Sequence, residues 1–207
     1  MAYQVRKRTE PEDIVYALHL YFNGLSLRNT SKAISKFVTR SHTAIRDWIQ
    51  KYNPKRLFYR KTKIFEFILD ETQIKVGSEL IWLWVAIDPE SKDVLRLNIS
   101  KERNMFVAER FLSNVIKEYG EHPVSTDGGT WYPQACQFLK LNHHIHSPYE
   151  KSIIERTIQY IKDRTECFDD YFPCTRINCK LEHIVKWLIL FVDMHNRDLI
   201  IKRRIVK

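Results

Sequence analysis

The chain has no run of about 18 apolar residues, the minimum length for a helix that crosses a membrane. Its longest apolar stretches lie near residues 80–87 and 187–192, and both are much shorter. The N-terminal residues 1–8 are rich in basic side chains and lack the apolar core of a secretory signal. These absences argue against a membrane protein and predict a cytoplasmic location.

Cysteine is also scarce, and no Cys-x-x-Cys pair occurs. The four cysteines are too few to crosslink a chain of 207 residues, so reduced thiols are expected in the cytoplasm. One alternative stays open, a zinc-stabilised interaction module with wider ligand spacing than a zinc finger. Its ligands would be Cys174, Cys179 and His183, with His143, His144 or His146 as the fourth.

Acidic residues are outnumbered, with 25 Asp and Glu against 34 Lys and Arg, which gives a net charge of +9 and a pI near 9.4. This excess predicts an anionic partner, with nucleic acid as the first candidate and an acidic membrane surface as the second. Hydrophobic content of 44% and aromatic content of 13% predict a globular protein. The length suffices for one domain with a full core and a smaller module.

The first 52 residues have the pattern of three short helices. The segments are residues 11–23, a helix capped by Ser26 with Phe37 among its inward residues, and a helix from Ser41 to about Tyr52. This arrangement is typical of a helix-turn-helix, whose last helix enters the major groove. The outward residues nearest the bases would be His42, Thr43 and Arg46. A three-helix bundle without a ligand is the alternative.

Residues 53–63 are predicted to link this module to the next domain. Between Lys51 and Lys63 the chain has six basic residues and no acidic one. Such a run is often a solvated linker, but here it is also suited to follow a phosphate backbone, with Lys55 and Arg56 as contacts.

Residues 64–197 have the pattern of an α/β domain, followed by a basic tail at 198–207. The predicted strands are 64–76, 80–87, 94–99, 123–126 and 143–146, and the predicted helices are 103–119, 132–139, one starting at Pro148 with a capping box, and one from Leu181 to about Asn196.

Three carboxylates of this domain lie where strands and a helix can bring them together. Asp70 ends an apolar run, and Asp127 is expected at the tip of a strand because Gly128 and Gly129 turn the chain directly after it. Glu155 lies beside the apolar stripe of a predicted helix. Such a trio is suited to hard divalent cations and two-metal phosphoryl transfer. The alternatives are a simple turn at Asp127 and an exposed, charge-paired helix at Glu155.

The order of these elements resembles the ribonuclease-H-like polynucleotidyl transferases. More closely, the sequence resembles the transposases of bacterial and archaeal insertion sequences, specifically the compact replicative type of family six. The likeness spans roughly residues 10–197, and residues 25–28 and 44–48 look like the helix-turn-helix of that family. The other matching motifs are Leu69-Asp70-Glu71-Thr72, Ile74-Lys75-Val76, Trp84-Val85-Ala86-Ile87-Asp88, Ser125-Thr126-Asp127-Gly128-Gly129 and Ile154-Glu155-Arg156, with Lys162 seven residues after the acid.

The resemblance implies a DDE enzyme that nicks DNA at element ends and joins the freed 3′-OH to target DNA. Asp70, Asp127 and Glu155 would hold two Mg²⁺ ions, with Mn²⁺ as a substitute, and Lys162 would contact DNA. The implied partners are element ends and target DNA, bound by a homodimer or larger homo-oligomer at the nucleoid. The alternative is a catalytically inactive DNA-binding protein, either a decayed transposase or a repressor.

The third carboxylate has rivals in the same region. Asp127 and Glu155 have 27 residues between them, several fewer than is usual for the family. Glu150, Asp163 and Glu166 are therefore alternatives, and Glu155 is preferred because a lysine follows it at i+7.

Overall fold

The structure is a computed structural model that describes residues 9–51, 63–76, 79–166 and 181–205. The chain divides into two compact units, Met1–Lys55 and Arg56–Lys207. Within the described ranges, no helix is both long enough and apolar enough to cross a membrane.

The first unit has three helices, α1 (Pro11–Phe22), α2 (Leu27–Ile34) and α3 (His42–Lys51). The predicted N-cap of α2 is confirmed, because Ser26 accepts a hydrogen bond from the N–H of Asn29 at 3.1 Å. Ser41 accepts one from the N–H of Ala44 at 3.2 Å. The three helices bury a small common core of Ala17, Leu27, Ile34 and Ile45.

The prediction that Phe37 points inward was wrong, because its side chain is 74% exposed. Since α2 ends at Ile34, Phe37 lies past the last helical turn, where helical periodicity no longer sets the direction of a side chain. Tyr52, which was predicted to extend the buried stripe of α3, lies outside the described residues.

The second unit contains a mixed five-stranded sheet in the order β3-β2-β1-β4-β5. The strands are β1 (Phe67–Val76), β2 (Glu79–Ile87), β3 (Val94–Ser100), β4 (Val124–Thr126) and β5 (His143–Ile145). The first three pair antiparallel, and β4 pairs parallel with β1 and with β5. This is the strand arrangement of a ribonuclease-H-like sheet, and it places the first residues of β1 beside β4.

Helices cover the sheet: α4 (Met105–Tyr119), α5 (Trp131–Phe138), α6 (Pro148–Glu166) and α7 (Leu181–Ile205). The main core lies between the sheet and the α4–α5 pair, and Phe67, Leu69 and Trp84 are fully buried in it. The predicted stripe of α6, Ile154, Ile158 and Ile161, is buried, and α6 contacts β1. Consequently α6 is held near the strand that carries Asp70.

The last helix continues well beyond its predicted end near Asn196, so most of the predicted tail at 198–207 is helical. Within the helix, the side chain of Asn196 hydrogen-bonds the backbone N–H (3.0 Å) and C=O (2.9 Å) of Val94 on β3. No glycine or proline follows Asn196 to break the helix. Arg203, near the end of α7, forms an ion pair with Asp93.

Candidate active site

Asp70 lies within β1, a few residues after its start, and its side chain is partly buried. Oδ1 accepts a hydrogen bond from the backbone N–H of Glu71 at 2.8 Å. Burial is the main cause that raises the pKa of Asp70 to about 7, and the negative charges of Glu71, Asp127 and Glu155 raise it further, against the opposing effect of the backbone hydrogen bond. The three predicted carboxylates are therefore near enough to interact electrostatically.

Asp127 directly follows β4 and is exposed. Ile68 of β1 pairs with Ser125 of β4, so Asp70 and Asp127 each lie two residues beyond the same paired position of two parallel strands. The chain then turns at Gly128, whose φ of 86° suits glycine, and the N–H of Gly129 donates to Oδ1 of Asp127 at 2.9 Å. Strand register and turn together bring the second carboxylate beside the first.

Glu155 is exposed on α6, where Lys151 lies 3.8 Å from its Oε1. An exposed pair of this kind contributes little to stability, about 0.3–0.5 kcal/mol on a helix, so it leaves the carboxylate available. Among its rivals, Asp163 accepts a hydrogen bond from Gln159 at 2.6 Å, and the side chain of Glu166 lies outside the described part of the chain.

Glu150, another rival of Glu155, has a structural role, because it completes the predicted capping box of α6. Its Oε2 accepts from the backbone N–H of Ser147 at 2.6 Å, and its own N–H donates to Oγ of Ser147 at 3.3 Å. Burial favours the neutral form of Glu150, but the hydrogen bonds from Ser147 and His144 outweigh it and lower its pKa to about 2. The role of Glu150 in starting the helix accounts for its position.

His144 lies between two carboxylates, with Nε2 3.0 Å from Oε1 of Glu66 and 3.3 Å from Oε1 of Glu150. The ligand atoms of these three residues all lie within 4.8 Å of one another. Hydrogen bonding between the imidazole Nε2 and these two carboxylates accounts for the arrangement. Of the zinc ligands considered above, Cys174 and Cys179 lie outside the described residues.

Glu71 belongs to one of the matching sequence motifs, but the sequence alone indicated no role for it. The side chain is only 2% exposed, and its Oε2 accepts a hydrogen bond from the hydroxyl of Tyr132 at 2.5 Å. Arg103 Nη1 lies 3.4 Å from Oε1 of the same carboxylate. Burial raises the pKa of Glu71, and the Tyr132 hydrogen bond and the Arg103 charge oppose this effect. The available signal was strand alternation, which sends Glu71 to the opposite face from Asp70.

The structure describes four of the six residues that were predicted to contact DNA. His42, Thr43 and Arg46 are exposed in the first turns of α3. Lys162 is partly exposed on α6, two turns beyond Glu155. Lys55 and Arg56 lie outside the described residues.

The three carboxylates offer only oxygen atoms, and their mutual repulsion would be relieved by a cation. Oxygen donors around a shared charge are what Mg²⁺ and Mn²⁺ prefer. The donor set therefore fits hard divalent cations.

Comparison with known proteins finds relatives that match most of the chain. The family model of the DDE domain of IS240-type transposases matches residues 64–176. The uncharacterized protein MJ0017 of Methanocaldococcus jannaschii is 31% identical over 192 residues, which cover 92% of this chain and 88% of that protein. The transposase for insertion sequence element IS257 in transposon Tn4003 of Staphylococcus aureus is 28% identical over 177 residues, or 79% of each chain.

Solved structures give weaker likenesses. A chain of the simian T-cell lymphotropic virus intasome is 20% identical, with a TM-score of 0.49. The match covers 87% of this chain and 65% of the intasome chain. The catalytic core domain of BIV integrase is 16% identical with a TM-score of 0.46, over 64% of this chain and 82% of its own.

Proposed function

This chain belongs to the DDE transposases of insertion sequences, which are metal-dependent polynucleotidyl transferases, and we propose that it nicks the ends of an insertion sequence and joins the freed 3′-OH to target DNA. The observation that supports this proposal best is the electrostatic state of Asp70. A partly buried carboxyl group surrounded by three more negative charges is unfavourable for a folded protein, and such groups concentrate at functional sites.

Asp70, Asp127 and Glu155 would hold two Mg²⁺ ions, with Mn²⁺ as a substitute. When bound, two such ions activate the attacking oxygen and stabilise the leaving oxygen of a phosphoryl transfer. The complete set of three carboxylates favours an active enzyme over a decayed one.

The chain's own residues keep these carboxylates in place. The sheet fixes Asp70 and Asp127 through the parallel pairing of Ile68 with Ser125. The buried face of α6 holds Glu155 near β1 through Ile154 and Ile158. Because Glu155 itself is exposed, its carboxylate is accessible to a metal ion.

The proposed partners are DNA and further copies of this chain. The net charge of +9 favours a polyanion, and the exposed residues His42, Thr43 and Arg46 of α3 are suited to contact base edges. An insertion sequence has two ends, so a homodimer or larger homo-oligomer would hold both in one synaptic complex.

A cleavage assay tests the proposal. The full chain is incubated with labelled duplexes that carry the DNA flanking its gene, with Mg²⁺ or Mn²⁺, and nicked and joined products are separated by length. We expect nicks at the element ends and joining to a second duplex, with both products absent for Asp70→Asn. Specific binding of the ends without any cleavage in either metal would instead identify a catalytically inactive DNA-binding protein.

A further inference from the structure

Arg103 lies between two tryptophan rings. Its guanidinium carbon is 4.1 Å from the centroid of the Trp82 ring and 4.3 Å from that of the Trp131 ring. Cations are attracted to the face of an indole, and the planar guanidinium also stacks on it. Since Trp82 belongs to β2 and Trp131 begins α5, Arg103 joins the sheet to the helix that follows Asp127.

Glu71 forms an ion pair with Arg103. Its carboxylate is almost completely buried and is satisfied by Arg103 and by the hydroxyl of Tyr132. A buried carboxylate is tolerated only when it is paired and hydrogen-bonded, so the guanidinium has one strongly favoured position.

The ring of Trp131 in turn covers Gly129. A Cβ atom at Gly129 would lie 2.7 Å from Cζ2 and 2.8 Å from Cε2 of the indole, so no side chain fits beneath the ring. The N–H of Gly129 is the donor to Oδ1 of Asp127. The position of the indole therefore limits where this N–H, and the carboxylate that it holds, can lie.

We propose that Arg103 is a positioning residue for Asp127, acting through a stack of Trp82, Arg103, Trp131 and the backbone of Gly129. The stack fixes the turn after β4 from the face of the sheet opposite to α6. This inference deepens the proposed function and rests on it for the role of Asp127 as a metal ligand. It adds a residue that touches neither the metal nor the reacting phosphate.

Amide exchange tests the geometry without using activity. In the full chain, exchange of the Gly129 amide proton is measured by NMR for the wild type, Arg103→Ala, Arg103→Lys and a control, Arg96→Ala. Arg96 matches Arg103 because it also forms a partly exposed ion pair, with Glu118 at 2.9 Å. We expect roughly tenfold faster exchange in Arg103→Ala, a smaller change in Arg103→Lys and none in the control.

Unchanged exchange in Arg103→Ala would overturn the inference. If Arg103→Ala does not fold, exchange of the Gly129 amide proton is measured in Arg103→Lys and Trp131→Phe instead. Each of these variants weakens the stack without leaving Glu71 unpaired. Unaltered Gly129 exchange in both of these variants would likewise overturn it.

The dependence of cleavage on metal supplies the second readout. Arg103→Ala should raise the Mg²⁺ concentration for half-maximal cleavage and lower kcat by roughly ten- to a hundredfold, with KM for DNA unchanged. A raised KM for DNA at unchanged metal dependence would make Arg103 a DNA contact and contradict the inference. An inactive wild type would refute the proposed function instead, and the exchange measurement would still decide the role of Arg103.

Discussion

The backbone N–H of Glu71 donates a hydrogen bond to Oδ1 of Asp70, yet the carboxylates of these two neighbours have opposite surroundings. Glu71 is buried against the cation of Arg103 and the hydroxyl of Tyr132. Asp70 is surrounded by the negative charges of Glu71, Asp127 and Glu155. One strand thus supplies a carboxylate paired with a cation to the support of the site and a carboxylate surrounded by negative charge to its centre.

The first prediction concerns the stability of the metal-free protein. Because the pKa of Asp70 rises from 3.8 to about 7 on folding, its ionisation destabilises the folded state. The cost is absent below the unfolded pKa, grows as pH rises between the two values and is constant above the higher one. Asp70→Asn should therefore raise the free energy of unfolding by about 2–4 kcal/mol above pH 7, since one pKa unit corresponds to about 1.4 kcal/mol.

Urea unfolding in the presence of a chelator, at one pH near 4 and one near 8, measures this difference. Asp93→Asn is the control, because its carboxylate forms an ion pair with Arg203, so that neutralising it should not raise the free energy of unfolding. A variant Asp70→Asn that is less stable than the wild type near pH 8 would show that Asp70 is not repelled.

The second prediction separates the candidates for the third carboxylate. Glu155→Gln should abolish cleavage while leaving folding and DNA binding intact, as should Asp70→Asn and Asp127→Asn. Glu150→Gln should lower the stability by about 1 kcal/mol because it weakens the cap of α6, and it should retain cleavage. Cleavage assays and thermal unfolding on the same preparations measure both effects. Normal cleavage by Glu155→Gln together with loss in Glu150→Gln or Glu166→Gln would assign the third ligand elsewhere.

Much of this domain is predictable because its elements are local patterns. The stop at Gly120, the cap at Ser147 and the apolar stripe of α6 each depend on a few neighbouring residues, and the structure confirms them. Asp127 was expected at a strand tip for the same reason, since the glycines after it force a turn. Boundaries were less predictable, as the longer α7 shows, because its contacts with distant residues, such as the ion pair of Arg203 with Asp93, leave no local pattern in the sequence.

The supporting stack escaped sequence reasoning because it joins distant parts of the chain. Glu71 pairs with Arg103 and Tyr132, which lie 32 and 61 positions away in the sequence. No local period indicates such contacts. The close approach of Trp131 to Gly129 depends on a ring orientation that only packing defines.

The third prediction concerns base reading by α3. In the full chain, Arg46→Ala should weaken binding to the element ends by about 1–3 kcal/mol and relax the sequence preference at one position. Glu12→Gln on α1 is the control and should leave the preference unchanged. Binding to a panel of single-base variants of the ends measures both properties. If Arg46→Ala, His42→Ala and Thr43→Ala all leave the preference intact, α3 is not the recognition helix.

The last prediction concerns Lys162, which lies two turns beyond Glu155 on α6. We expect its ammonium to contact a phosphate of the transferred strand, a task suited to a point charge on a long apolar stem. Lys162→Ala should then lower strand transfer more than Lys162→Arg does. The difference in strand-transfer rate between wild type and Lys162→Ala should be largest at low salt and should shrink as salt rises, because only the wild type has this phosphate contact to lose.

In the alternative role, Lys162 only pairs with Glu166 at i+4, an interaction that contributes about 0.3–0.5 kcal/mol to stability. Lys162→Ala would then leave strand transfer unchanged at every salt concentration. A salt series of strand transfer, with Glu166→Ala as control, distinguishes the two roles.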